Sequence, residues 1–185
     1  MRRVDARELY LFEHAHGHGS SVAPSEIVNL ENLLYDGVPE IVYRDCPDEH
    51  ANSMVWLLWH CARSEDVGIN LMLTDGRPVF DGAWAEKMRV EDADIGTGMT
   101  VEDVRRISEG ADLGAVRDYR RAVGLQTREV MENLDFGTLG EPPGPELPAA
   151  GWDPRPSGAT APGRAPGGRR SGRRRPRSGN PARRR

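Results

Sequence analysis

Cysteine is scarce in this 185-residue chain: Cys46 and Cys61 are the only two, with no CxxC spacing. Two such thiols cannot form a disulfide framework, so a reducing, cytoplasmic setting is expected. Long apolar runs are lacking as well. Nothing approaches the roughly 18 residues of a membrane span, so no membrane partner is expected. The N-terminus starts basic but meets Asp5, Glu8 and Glu13 before an apolar segment can form, which is not the pattern of a secretory leader. No internal repeat is found, and no histidine follows His60.

Hydrophobic residues make up 37% of the chain, somewhat low for a compact domain, and the shortfall is local. Residues 1–150 carry 14 basic and 28 acidic side chains, a charge of −14, whereas residues 151–185 carry 11 Arg against the single Asp153, a charge of +10. The overall −4 describes neither part. An acidic body argues against a nucleic-acid surface there, and such contacts would fall to the basic tail.

Asp5, answered by Glu8 three residues on, predicts the start of a first helix that ends near Gly17 or Gly19. Leu9 and Phe12 begin its apolar spacing, and His14, His16 and His18 follow. His14 and His18, at i and i+4, share a helix face, a geometry that can chelate a metal. Gly17 and Gly19 weaken the helix at that point, so a frayed, solvated terminus is the blander expectation. Ser25–Tyr35 predicts a second helix capped by Ser25, with Ile27, Leu30, Leu33 and Leu34 at helical spacing. The stretch from Ile41 to Ser53 reads as a connection, and Val79–Met99 as a long, partly ordered loop. Thr100 with Asp103 caps a short helix through Ser108, and Asp112 caps another to Leu134.

Between these lies Asn52–Leu73, NSMVWLLWHCARSEDVGINLML, capped by Asn52 or Ser53 and stopped by the Asp75, Gly76 and Pro78 cluster. From Met54 to Trp59 it is apolar on every side, as a buried helix is. His60 then needs a hydrogen-bond partner or a ligand. Arg63, Glu65 and Asp66 are expected to form an ion-paired helix surface, and Trp56 and Trp59 to be core aromatics. Glu65 is turned well away from His60 on the helix, and Cys61 points about 100° from it, so neither a local ligand set nor a Cys–His nucleophile pair is expected. The Gly96–Thr100 loop lacks the spacing and Lys of a phosphate loop and reads as a cap and turn.

The run W-x-x-W-H-x-A-R-x-E-D at Trp56–Asp66, followed by DGAWAEKM, DIGTGMTVEDV and DYRRAVGLQTREVMENL, resembles the DinB-like superfamily of small metal-binding four-helix bundles, in an actinobacterial-looking branch. The resemblance covers roughly Asp5 to Leu134. It implies an all-α, up-and-down helix bundle holding a divalent metal, usually zinc or nickel, through three histidines. His60 sits at the position of one ligand. The other two come from an HxxxH pair on the last bundle helix, which this sequence lacks; His14, His18 or a carboxylate such as Glu65 are the weaker substitutes. By the same resemblance the function is that of a metal-dependent hydrolase or thiol transferase acting on a small-molecule substrate, impaired here because the usual three-ligand set is missing. An incomplete bundle would also expose an apolar face and associate, for instance as a homodimer.

These readings divide the chain into a helical domain, residues 1–139, and a Pro/Gly/Ala/Arg-rich tail, residues 140–185, that cannot bury a core and is expected to be disordered. The tail attracts phosphate backbones but lacks aromatics for base stacking. A non-enzymatic helical module whose Arg-rich arm contacts nucleic acid or an acidic partner is therefore the alternative function. A shifted reading frame in a G/C-rich gene would produce the same tail composition.

Overall fold

The computed structural model describes residues 5–47, 52–74 and 76–138; the expected tail lies outside these residues. Among the described residues the chain is all-helical, with seven α-helices and no strands. They are α1 (Ala6–Gly17), α2 (Leu30–Tyr35), α3 (Glu40–Arg44), α4 (Met54–Asp66), α5 (Gly82–Met88), α6 (Val101–Gly110) and α7 (Leu113–Asn133). A π-helical turn, Val67–Leu73, continues α4, and a 3₁₀ turn, Phe136–Thr138, follows α7. None of the described helices is long and apolar enough to cross a membrane.

Local chemistry starts most of these helices. The Asp5 carboxylate accepts from the backbone N–H groups of Arg7 and Glu8, and the Ser53 hydroxyl accepts from Trp56 N–H. Thr100 and Asp103 form a reciprocal capping box, and Asp112 accepts from Ala115 N–H. Each cap satisfies donors that the first turn leaves without an intrahelical partner, worth about 1 kcal/mol.

Three stretches differ from expectation. The second helix begins at Leu30 rather than Ser25 because Ser25 and Asn29 are otherwise engaged. The Ser25 hydroxyl accepts from Ile27 N–H, and the Asn29 amide donates to the carbonyls of Ala15 and Ala23. The expected connection after Gly37 contains α3, whose buried Tyr43 donates to the Tyr35 carbonyl at 2.6 Å. Arg44 on α3 reaches the carbonyls of Ser108 and Ala111 at the end of α6. The expected loop holds α5, started by Asp81 and ended by Arg89 in the left-handed region at φ 58°.

The core lies between α4 and α7, the most extensively packed pair, with α5 and α6 against them. Val55, Leu58, Trp59 and Ala62 from α4 meet Val116, Tyr119 and Val123 from α7, together with Met88, Val90 and Ile107. Burying each aliphatic side chain of this set stabilises the fold by roughly 1.5–3 kcal/mol. Trp56 and Trp59 are both buried, as expected. Gly96, at φ 83°, lies against them: a Cβ there would come within 2.7 Å of the Trp59 ring.

Arg63 and Asp66 are buried, not on the surface. Asp66 accepts from Arg63, Asn70, the Tyr119 hydroxyl and the backbone N–H groups of Val79 and Phe80, at 2.7–3.1 Å. Arg63 donates onward to the carbonyls of Ala93 and Asp94 and stacks over the Phe80 ring. Burial pushes the Tyr119 hydroxyl pKa well up, Arg63 opposing and Asp66 adding to the rise, so it stays a donor. The pair thus fastens two connections to α4. The π turn belongs to the same arrangement, since Asn70 lies within it and its carbonyl accepts from Gly76 N–H at 2.7 Å and from the Thr74 hydroxyl.

Candidate metal centre

Instead of fraying, the end of α1 is closed over. Its last orphan carbonyls find partners: Ala15 C=O accepts from Asn29, and His14 C=O from the backbone N–H of His18. Ser20 N–H donates to the Asn32 side chain, and His16 donates from Nδ1 to the Val28 carbonyl. From the other side, Arg128 of α7 donates to Leu11 C=O. With its carbonyls satisfied, the terminus tolerates Gly17 and Gly19.

Both histidines of the i, i+4 pair are held against α4. His14 donates from Nε2 to Glu65 Oε1 at 3.0 Å, and His18 from Nε2 to Glu65 Oε2 at 2.8 Å. The two rings stack with centroids 4.2 Å apart, and Tyr10, one turn earlier, stacks on His14 at 5.8 Å. The side chains are only 6%, 5% and 16% exposed for His14, His18 and Glu65. Sequence reasoning offered Glu65 only as an alternative to His14 or His18, and the structure joins all three. The angle of Glu65 to His60 along α4 is legible, but its meeting with α1 is a tertiary fact.

Burial alone would raise the Glu65 pKa, yet the group is held far below the usual carboxylate range. The hydrogen bonds from His14 and His18 and the positive character of His18 outweigh desolvation, with help from the nearby Thr127 hydroxyl. That hydroxyl is fully buried and makes no hydrogen bond of standard geometry, so its effect is one of proximity. Tyr10 is pushed up to about 12 by burial and by the Glu65 charge. The carboxylate is therefore ionised and its surroundings are arranged for that state.

Room for the pair comes from α7. A Cβ at Gly124 would stand 2.8 Å from His18 Cε1 and 2.9 Å from its Nδ1, so this helix position must be glycine for the ring to lie where it does. The Nδ1 atoms of His14 and His18 are buried without a hydrogen-bond partner.

His60 is elsewhere. It stacks on Trp56 with centroids 4.6 Å apart and donates from Nδ1 to the Ile95 carbonyl, half-buried beside the Gly96 turn. The structure brings His14 and His18 together with Glu65 and does not bring His60 to them. Cys61 is exposed, and Gly96–Thr100 is a turn leading into the capping box.

A group of one carboxylate and two imidazoles fits a divalent cation. Ligands at 2.0–2.2 Å in a tetrahedron stand about 3.4 Å apart. The candidate ligand atoms here all lie within 4.8 Å of one another, and the Nε2 to Oε contacts are shorter still. Among the described residues this is the group of three His, Cys, Asp or Glu side chains with such spacing.

No curated protein matches the sequence. The family model of the DinB superfamily matches residues 30–161. The matched span includes His60, Glu65 and all of α7, and it starts after α1 and the two histidines His14 and His18. Spanning well over half of the sequence, that match shows that the chain belongs to the DinB superfamily.

Proposed function

We propose that the protein holds a divalent transition-metal ion, zinc or nickel, at His14, His18 and Glu65, and uses it as a metal-dependent hydrolase or thiol transferase acting on a small molecule. The observation that carries the reading is the convergence of two buried imidazole Nε2 atoms on one ionised, largely buried carboxylate. Two neutral imidazoles and a carboxylate suit such ions, and three protein ligands leave coordination open for a substrate atom. When bound, the ion supplies Lewis acidity to that atom. Glu65 orients both rings, Gly124 admits His18, and Tyr10 and the segment closing α1 keep water away from the group.

The set differs from the three-histidine expectation in that a carboxylate from α4 takes one place, with one histidine from α1 and the other from the residue that ends it. His60 serves as a support of the 93–96 turn. Metal content after purification tests this directly. An equimolar amount is expected in the wild type and in His60→Ala, and little in His14→Ala or Glu65→Ala. Negligible metal in the wild type after reconstitution with zinc and with nickel would sink the proposal.

A second reading rests on the charge division between residues 1–150 and 151–185. In it the acidic domain is a carrier for an Arg-rich arm that contacts nucleic acid. Salt-dependent retention on immobilised DNA that disappears when residues 151–185 are removed supports that reading; no retention removes it.

A further inference from the structure

A shallow cleft of about 570 Å³ opens where α3 meets the C-terminal end of α6, lined by Ile41, Val42, Arg44, Asp45 and Glu109. Its floor is aliphatic and bare: Ile41 is 76% exposed and Val42 47%. Its rim is acidic. Asp45 and Glu109 are both exposed, and among the described residues neither carboxylate has an ion-pair or hydrogen-bond partner. Arg44, the one cation of the lining, is already engaged. Its Nε and Nη2 donate to Glu40 Oε1 at 2.9 and 2.5 Å, and its Nη1 donates to the Ser108 and Ala111 carbonyls. The cleft beside Gly82 and Gly110 differs, because there Arg89 and Arg106 stand against Glu86 and Glu91. Charge is balanced in that cleft and left negative in this one.

An aliphatic floor with a carboxylate rim suits a ligand that is apolar along its stem and cationic at its tip, which describes arginine. The methylenes of such a side chain cover apolar surface while the guanidinium fork meets carboxylates. The chain carries this ligand itself. Residues 164–185 hold ten Arg and no acidic residue, against a charge of −14 over residues 1–150. We propose that residues 164–185 dock in the α3–α6 cleft of their own chain, with arginine stems on Ile41 and Val42 and guanidinium groups on Asp45 and Glu109. Reach does not limit this. Arg164 lies 26 positions beyond Thr138, where the last described turn ends. At roughly 3.3 Å per residue that stretch spans up to about 86 Å, whereas a domain of this size has a radius of gyration of about 14 Å. Docking engages the same arginines that the nucleic-acid reading requires, and it is independent of the metal.

Paramagnetic broadening in the full chain tests the inference. A nitroxide on Ser171→Cys, with Cys46→Ser and Cys61→Ser, is expected to broaden the methyl signals of Ile41 and Val42 at about 0.01 M salt, where the Debye length is roughly 30 Å. The reference is the same protein with the label reduced. At about 1 M salt, where that length is roughly 3 Å, the signals are expected to return. Asp45→Asn combined with Glu109→Gln is expected to remove most of the broadening. Glu86→Gln combined with Glu91→Gln changes the charge equally elsewhere and is expected to leave it. Unbroadened methyls, or equal relief by the two pairs of substitutions, overturn the site. Spin-labelled chains mixed with isotope-labelled ones separate the sources: broadening between chains as strong as that within one chain assigns the cleft to a second copy and overturns docking within the chain.

Discussion

Glu65 and Asp66 are neighbours on one helix and carry the same chemical group, yet they are embedded in opposite ways. Asp66 is fully buried, with donors from Arg63, Asn70, Tyr119 and two backbone amides. Its lone pairs are saturated. Glu65 keeps a sixth of its surface exposed and is held by two rings, each with an unpartnered nitrogen. A saturated carboxylate fastens structure, because any further ligand would have to displace a bond already made. An unsaturated one, facing convergent imidazoles, has capacity left for a cation. The difference between adjacent residues is a difference in what surrounds them, and it separates the fastening of the fold from the candidate chemistry.

Substitution can break or sharpen that contrast. Asp66→Asn should have the largest effect, since it leaves the buried Arg63 charge uncompensated; a loss of about 3–5 kcal/mol is expected. Denaturant titration of metal-free protein measures it, with Glu65→Gln as the comparison. Equal losses in the two variants would erase the distinction drawn here.

Next comes Gly124→Ala. Alanine favours an exposed helix by up to about 1 kcal/mol over glycine, but this Cβ meets the His18 ring. Zinc affinity is expected to fall roughly tenfold or more, while the metal-free thermal midpoint changes little. Unaltered affinity would mean that the ring is free to shift.

Acid should test the setting of Glu65 further. The folded-state pKa of Glu65 lies below its ordinary value of 4.5, so its stabilising contribution is fully present above that value and is lost as pH falls toward the folded one. Denaturation midpoints of metal-free wild type and Glu65→Gln are therefore expected to converge as pH is lowered from 6 to 3. A constant gap would show that the depression is absent. The smallest effect is expected from His60→Ala, which removes one hydrogen bond to Ile95 and stacking on Trp56: about 1 kcal/mol of stability, with metal content retained.

Much of the helical outline was legible because capping is local. Asp5, Ser53, Thr100 with Asp103, and Asp112 start helices where their side-chain oxygens find the next backbone amides. Helices α3 and α5 escaped because five and seven residues are too few to establish a period. The site was half legible. The spacing of His14 and His18 announced a shared face, but the blander frayed end overlooked Asn29, which supplies the missing donor from fourteen residues away. Glu65, and the burial of Arg63 and Asp66, depend on α1, α7 and the 79–80 segment arriving from afar, and no local pattern encodes that.

The manner in which α1 is held has a consequence for how such a protein can change. Its buried residue is Ala15, and two of the bonds that seat it run to its own main-chain carbonyls. Arg128 grips Leu11 C=O, and Asn29 grips Ala15 C=O. Contacts of that sort are indifferent to side-chain identity. The helix behaves as an exchangeable cartridge: residues at positions 14 and 18 can be rewritten, a softer or harder donor substituted, and the ion preference altered, while the cartridge still clicks into the same slot.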